Sequence, residues 1–265
     1  MSNSSPDITS SSFKPVVLYE LVSGEDRSRY FSPNTYLTRM TLGYKGIPFE
    51  VVPLTLIEVS EKIPKVLKSA SNVLGLPSGV VNTVPVIHDP NTDTMVQDSW
   101  RIAQYLDETY PKKPILHNQP NIQLLLHDLI RKDLLYVAMP LIILDAFSKF
   151  DQPSAKYFRE TREKIFGKSL EEFAVKDADG QKAILSKLRQ NLVPFREAIK
   201  RSGGYLSDKV NVSHVDFFLA GMMTMVNYGN VDCFRDIFLT LEDGTHDNTM
   251  QDFFLSMQNF VEKPN

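Results

Sequence analysis

The sequence predicts an α/β domain followed by an all-α domain. Three observations predict it. Between residues 13 and 110, short β-prone runs alternate with helical patterns in the order β-α-β-α-β-β-α. A proline-punctuated linker then spans 111–121, with Pro111 and Pro114 breaking the preceding helix. From residue 122 to 265, long stretches with helical spacing follow, and no strand signal of comparable strength appears.

Each element has its own local warrant. Pro15 to Val22 (PVVLYELV) is apolar and β-prone, hence a first strand. Ser32-Pro33 opens a helix, because serine is a favoured N-cap and proline a favoured first helical residue. Leu37, Met40 and Tyr44 form its apolar stripe, and Gly46 suits its end. Pro48 to Leu54 is a second strand, with Pro53 marking an edge. Leu56 to Leu67 reads as helix interrupted at Pro64, followed by a loop with Gly75, Pro77 and Gly79. Val84 to His88 and Met95-Val96 form a hairpin around the turn-rich DPNTDT. WRIAQYLDETY is a helix behind Asp98-Ser99. This order is that of a thioredoxin-like domain, a central sheet covered by helices.

In the second half, Leu124 to Phe147 is a strongly apolar helical stretch with Pro140 as a kink or break. Gln181 to Lys200, Val215 to Tyr228, Val231 to Leu241 and Asn248 to Phe260 are helical. Residues 150–178 are mixed and charged, and their pattern assigns no element.

Composition excludes several classes. The net charge of −3 lacks the basic excess that phosphate neutralisation needs, so nucleic acid is not an expected partner. The single cysteine, Cys233, excludes an intrachain disulfide and a four-cysteine zinc site. The five histidines lack the i, i+4 spacing of a zinc helix, so no metal is expected. Residues 1–12 (MSNSSPDITSSS) lack a basic start and an apolar stretch, so a disordered tail is expected rather than a secretory signal. No run approaches the roughly 20 apolar residues of a membrane span, and a cytoplasmic location is expected.

Three places carry candidate chemistry. Ser32 begins the first helix, where a cap alone explains a serine before a proline. The strand–helix order also puts that N-terminus at the carboxyl end of the sheet, where ligands of α/β folds bind. Free N–H groups and the helix dipole favour an anion there, and a hydroxyl can donate to a thiolate. At Val84-Pro85, a cis bond would turn the Val84 backbone groups outward to pair with an extended peptide. At Asp98-Ser99, a helix cap competes with a carboxylate and ammonium site.

The combination resembles the glutathione transferase superfamily over nearly the whole chain. The matching features are the Ser32-Pro33 helix start, the Val84-Pro85-Val86-Ile87 strand, and Asp98-Ser99 followed by IAQYLDETYP. A fourth is Gly204-Tyr205-Leu206-Ser207-Asp208 with Ser213-His214-Val215-Asp216, similar to the family's capping motif. Within it, the chain looks most like the etherase-related fungal class, FuA. Phe31 and Tyr36 stand where that class implies tryptophans, a departure that bears on substrate preference. The resemblance implies Ser32 as the thiol-activating residue with Asn34 as helper. It implies Val84 on the cysteinyl backbone, Asp98 and Ser99 on the γ-glutamyl end, and Thr83 and Pro85 framing the pocket. An omega-like member would need a cysteine at position 32. Tyr36, Tyr136, Met139, Ile143 and Phe147 are candidates for an acceptor pocket between the domains, although such a stripe also suits plain core.

The implied function is conjugation of glutathione, its cosubstrate, to an apolar or phenolic compound, or its use in ether cleavage or peroxide reduction. A ligandin-type carrier of phenolic or hydrophobic compounds is the alternative, and a scaffold without the tripeptide site a third possibility. The resemblance further implies a detoxification role and a two-fold homodimer.

Overall fold

Strand β1 (Val16–Ser23) alternates buried and half-buried residues and forms the axis of the sheet. In the computed structural model, which describes residues 5–24, 27, 29–75, 82–117 and 119–261, β1 has neighbours along its whole length. It pairs in parallel with β3 (Phe49–Leu54) and antiparallel with β5 (Val86–Asp89). Strand β6 (Thr94–Gln97) returns against β5, and the two-residue β4 (Val73–Leu74) adds to β6. A second short strand, β2 (Arg29–Tyr30), pairs with the end of β1. Neither two-residue strand is long enough to leave a pattern in the sequence. Pro53 sits on β3, whose ladder to β1 is its pairing among the described residues, so its missing N–H costs the sheet no bond there. The Pro77 and Gly79 turn and residues 1–4 lie outside the described residues.

Three helices complete this thioredoxin-like half: α1 (Pro33–Lys45), α2 (Leu56–Ser69) and α3 (Ser99–Thr109). Helix α1 ends at Gly46, which takes the left-handed conformation (φ 70°) that glycine adopts without strain. Helix α2 starts with a Thr55–Glu58 capping box and runs through Pro64, contrary to the expected interruption. The buried stripe of Val59, Ile63 and Leu67 spans both sides of the proline and holds the two halves together.

Part of the expected disordered tail is ordered. Residues 7–13 make two turns, and Ile8 and Phe13 pack beside the core of Val16, Phe49 and Tyr110. The link between the halves is also held. Asp107 accepts from the Ile115 and Leu116 amides, and the buried Lys45 ammonium reaches Asp107 at 2.7 Å.

The second half is all-helical: α4 (Pro120–Ile130), α5 (Tyr136–Phe147), α6 (Gln152–Phe166), α7 (Leu170–Phe173), α8 (Ala178–Ser202), α9 (His214–Gly229), α10 (Val231–Phe238) and α11 (Asn248–Gln258). One wide π turn, 131–135, joins α4 to α5 without a break, and Pro140 lies inside α5. Helix α9 is buried nearly all round, from His214 to Met223, and is the centre of this half. Its start is capped as the motif predicts. Asp216 accepts from the Ser213 amide and hydroxyl and from the Leu206 amide at 2.7 Å, which ties the Tyr205–Asp208 loop to the helix. Burial raises the Asp216 pKa to about 6.

Residues 150–178 hold two helices. Asp151 caps α6 and a Ser169–Glu172 box caps α7, so the signals were caps rather than apolar period. No described helix is long and apolar enough to cross a membrane.

Candidate functional site

The register of the sheet gathers the candidate residues at one end. Tyr19 pairs with Val86, and Val86 with Gln97, so the chain enters β5 and leaves β6 at the end toward which β1 runs. Helix α1 starts from that same end, after β2.

Ser32 is the N-cap of α1 with extended backbone (φ −70°, ψ 124°), and its carbonyl accepts from the Tyr36 amide at 2.9 Å. Its hydroxyl makes no capping bond. The simple cap role is therefore carried by the backbone alone. No acidic side chain occupies the first turn, so the positive end of the helix dipole is unneutralised by its own helix. Asn34 is exposed beside it.

Ser32 lines a cavity of about 250 Å³ between the two halves. Leu21, Phe31, Pro33, Asn34 and Leu56 come from the first half. Met139, Ile142, Ile143, Phe150, Phe158 and Arg162 are among those from the second. The residues predicted from the sequence that meet here are Ser32, Asn34, Met139 and Ile143. The other acceptor candidates lie elsewhere. Tyr136 is 56% exposed and faces solvent. Phe147 packs on Phe158, with the Arg159 guanidinium 4.7 Å above its ring. Tyr36 packs against the helical core, where burial raises its pKa. Larger hollows lie at the surface by the N-terminal turns and between α8 and α11, away from Ser32.

The predicted tripeptide residues form a second group at the same end of the sheet. Val84-Pro85 is cis. The Gln97 amide donates to both the carbonyl and the hydroxyl of Thr83 at 3.1 Å, and the Asp98 amide donates to the Pro85 carbonyl at 3.2 Å. Thr83, Val84 and Pro85 are thus stitched to the segment that carries Asp98 and Ser99. Asp98 takes a positive φ of 85°, and one carboxylate oxygen accepts from the Trp100 and Arg101 amides. Here the cap reading of Asp98 is realised for that oxygen. Ser99 is buried next to it. These five residues do not line the cavity of Ser32.

Sequence reasoning missed Gln97, Phe158, Arg162 and Tyr228. Gln97 positions Thr83, and its signal was a glutamine ending an apolar strand. Phe158 and Arg162 line the cavity from α6, an element the apolar pattern did not reveal. Phe31 stacks on Tyr228 of α9, with ring centroids 4.6 Å apart, and Tyr228 bonds Ser23 at 2.5 Å, so the residue preceding Ser32 is clamped to the helical half.

Among the described residues, no group of three or more His, Cys, Asp or Glu could hold a metal ion. Cys233 is half-buried beside α5, and burial raises its thiol pKa.

Comparison with known proteins accords with this arrangement. A family model described as the glutathione S-transferase N-terminal domain matches residues 28–114, and the C-terminal domain model of that family matches 122–253. A glutathione S-transferase-like protein of Aspergillus flavus, ustS, is 28% identical over 225 residues, 79% of each chain. The crystal structure of glutathione transferase GSTFuA3 from Phanerochaete chrysosporium superposes with a TM-score of 0.76 at 26% identity, covering 94% of this chain and 98% of that one. A glutathione S-transferase of Ceriporiopsis subvermispora in complex with glutathione gives 0.75 at 23% identity, over 95% and 100%. With both halves matched in order, and with solved structures of fungal FuA proteins among its neighbours, the chain belongs to the glutathione transferase family and is FuA-like.

Proposed function

We propose that this protein is a serine-type glutathione transferase that uses Ser32 to activate the thiol of its cosubstrate for attack on an apolar or phenolic electrophile. The observation that carries the reading is the Ser32 side chain: half-buried, at a helix N-terminus without acidic neighbours in its first turn, with no capping bond, and facing an apolar cavity. A cysteinyl thiol ordinarily titrates near pKa ~8.5, and lowering it by about two units requires roughly 2.7 kcal/mol of preferential thiolate stabilisation. One charge-assisted hydrogen bond from Ser32 and the α1 dipole together are of that size. Asn34 would assist at the same helix end. Thr83, Val84 and Pro85 would hold the cysteinyl part, and Asp98 and Ser99 the γ-glutamyl end. In conjugation, a C–S bond forms as the bond to the leaving group breaks, and the thiol proton passes to solvent. Ether cleavage and peroxide reduction use the same thiolate.

The apolar cavity also favours a second reading, a ligandin-type carrier that binds such compounds with little turnover. In either reading we infer a cytoplasmic detoxification role and a two-fold homodimer, with residues 13–110 and 122–265 as the two domains.

A glutathione titration followed by Trp100 fluorescence and by calorimetry tests the transferase reading. Trp100 is the only tryptophan and follows Ser99 directly. Saturable binding is expected, weakened about tenfold in Ser99→Ala by the loss of one hydrogen bond to a charged group. Ser32→Ala is expected to keep binding while the bound thiol pKa rises by about one unit, since the α1 dipole remains. Wild type that fails to bind by both probes would sink the reading. Binding of phenolics without turnover would select the carrier.

A further inference from the structure

Among the described residues, the cavity beside Ser32 holds one charged side chain, Arg162, and no described carboxylate pairs with it. Arg162 extends from α6 with its guanidinium 5.0 Å from the Phe158 ring. Its hydrogen bond among the described residues is to the Thr161 hydroxyl, at 3.1 Å. No described carboxylate lies within ion-pair distance of it. The acids of α6 are engaged elsewhere: Glu163 pairs with Arg159 at 2.8 Å, and Glu160 lies 4.0 Å from Lys156. Arg159 also takes Glu171. Burial is sufficient to pull the Arg162 pKa below its ordinary value.

A guanidinium beside apolar walls, with one protein hydrogen bond among the described residues, is a site for a planar anion. Phe31, Phe150, Phe158, Met139 and Ile143 form the apolar walls of the same cavity. Its size is also informative. A cavity of about 150 Å³ takes one benzene ring. The 250 Å³ here suits one ring bearing a small substituent.

We propose that the acceptor site selects apolar carboxylic acids of about one aromatic ring, with Arg162 binding the carboxylate while the electrophilic carbon faces Ser32. The proposal rests on the reading of this cavity as the acceptor site and adds the charge of the substrate to it. Arg162 is a specificity residue in this scheme and takes no part in bond making.

The test compares a charged and a neutral substrate of the same shape. Conjugation of 4-chloro-3-nitrobenzoate and of its methyl ester is measured for wild type, Arg162→Met and Arg162→Lys. Taking the ratio of kcat/KM values within each protein and comparing across proteins cancels the unequal intrinsic reactivity of the two compounds. Arg162→Met is expected to lower the acid-to-ester ratio by about 10–100-fold, the range for losing charge-assisted hydrogen bonds. Arg162→Lys, which keeps the charge without the fork, is expected to restore part of it. A role in packing alone would lower both substrates together and leave the ratio fixed, which would overturn the proposal.

A second arm needs no turnover. Calorimetry of cinnamate against methyl cinnamate should show tighter binding of the acid to wild type, and that preference should vanish in Arg162→Met. This arm decides the role of Arg162 even for a protein that binds no glutathione, the outcome that would sink the transferase reading instead. Equal binding of acid and ester by wild type would overturn the proposal.

Discussion

His127 of α4 and His214 of α9 form a stacked pair whose Nδ1 and Nε2 atoms lie 3.0 Å apart, so one imidazole donates and the other accepts. Phe218, one turn on from His214 along α9, also stacks on His127 at 3.7 Å, and Trp100 meets His214 edge-on at 5.0 Å. The pair is neutral, because burial, aided by the Arg131 charge, lowers the His127 pKa to about 4, and burial with His127 beside it pushes His214 well down. A histidine with a depressed folded pKa stabilises the fold above its unfolded pKa, near 6.5, and that contribution is lost as pH falls through about 4. Asp216 has the opposite sign: its raised pKa stabilises the fold below the ordinary 3.8, and the contribution is lost as pH rises through about 6. Urea unfolding should isolate the histidine part. Between pH 7.5 and 4.5, wild type is expected to lose about 2–3 kcal/mol more stability than His127→Gln. Equal losses would mean that His127 titrates normally in the fold. None of this was legible in the sequence, since positions 127 and 214 are 87 residues apart and meet only through the packing of α4 on α9.

Between elements, the decisive contact joins α1 to α9. Gly221 of α9 lies so close to Pro33 that a Cβ would stand 2.6 Å from the Pro33 carbonyl oxygen and 3.1 Å from its Cα. The N-terminus of α1, with Ser32 one residue before Pro33, is thus seated on the helical half by a position that admits no side chain. Gly221→Ala is expected to cost about 1–3 kcal/mol, the usual range for overpacking. It is also expected to raise the pKa of bound glutathione thiol, because the helix end must move. Urea unfolding and thiolate absorbance of the complex check the two effects. Unchanged stability would show that the backbone yields at no cost. Helices α1, α3 and α9 were readable because apolar period, caps and breakers agree along them. Helix α6 was not, because its exposed face is dense in charge and its apolar contacts, among them Phe158, are few. Its caps, Asp151 and Gly167, were present in the sequence without a stripe to connect them.

At the scale of the molecule, α4 presents an apolar stripe to solvent. Ile122, Leu125 and Leu129, spaced by three and four, are 51%, 65% and 40% exposed. Val73 and Leu74 of β4 are exposed as well. Such a stripe on an otherwise ordinary surface suits the two-fold homodimer we infer. Sedimentation velocity of wild type is expected to give a dimer, and Leu125→Glu a monomer, because an ionised carboxylate would be buried without a partner at the interface. A monomeric wild type would remove the dimer from the proposed function.

Taken alone, the sequence determined what local chemistry determines. The β-α-β-α-β-β-α order, the start of α1 at Ser32-Pro33, the Ser213–Asp216 box and the edge proline Pro53 each depend on a few adjacent residues whose preferences agree. Tertiary structure decided everything that depends on chain segments far apart. It brought Ser32, Met139 and Arg162 around one cavity, placed Tyr136 in solvent and Phe147 against Phe158, and tied Thr83 to Gln97. The physical reason is that a helix presents different residues to different neighbours. An apolar stripe records that some face is buried, and only the packing partner determines whether that face meets core, cavity or solvent.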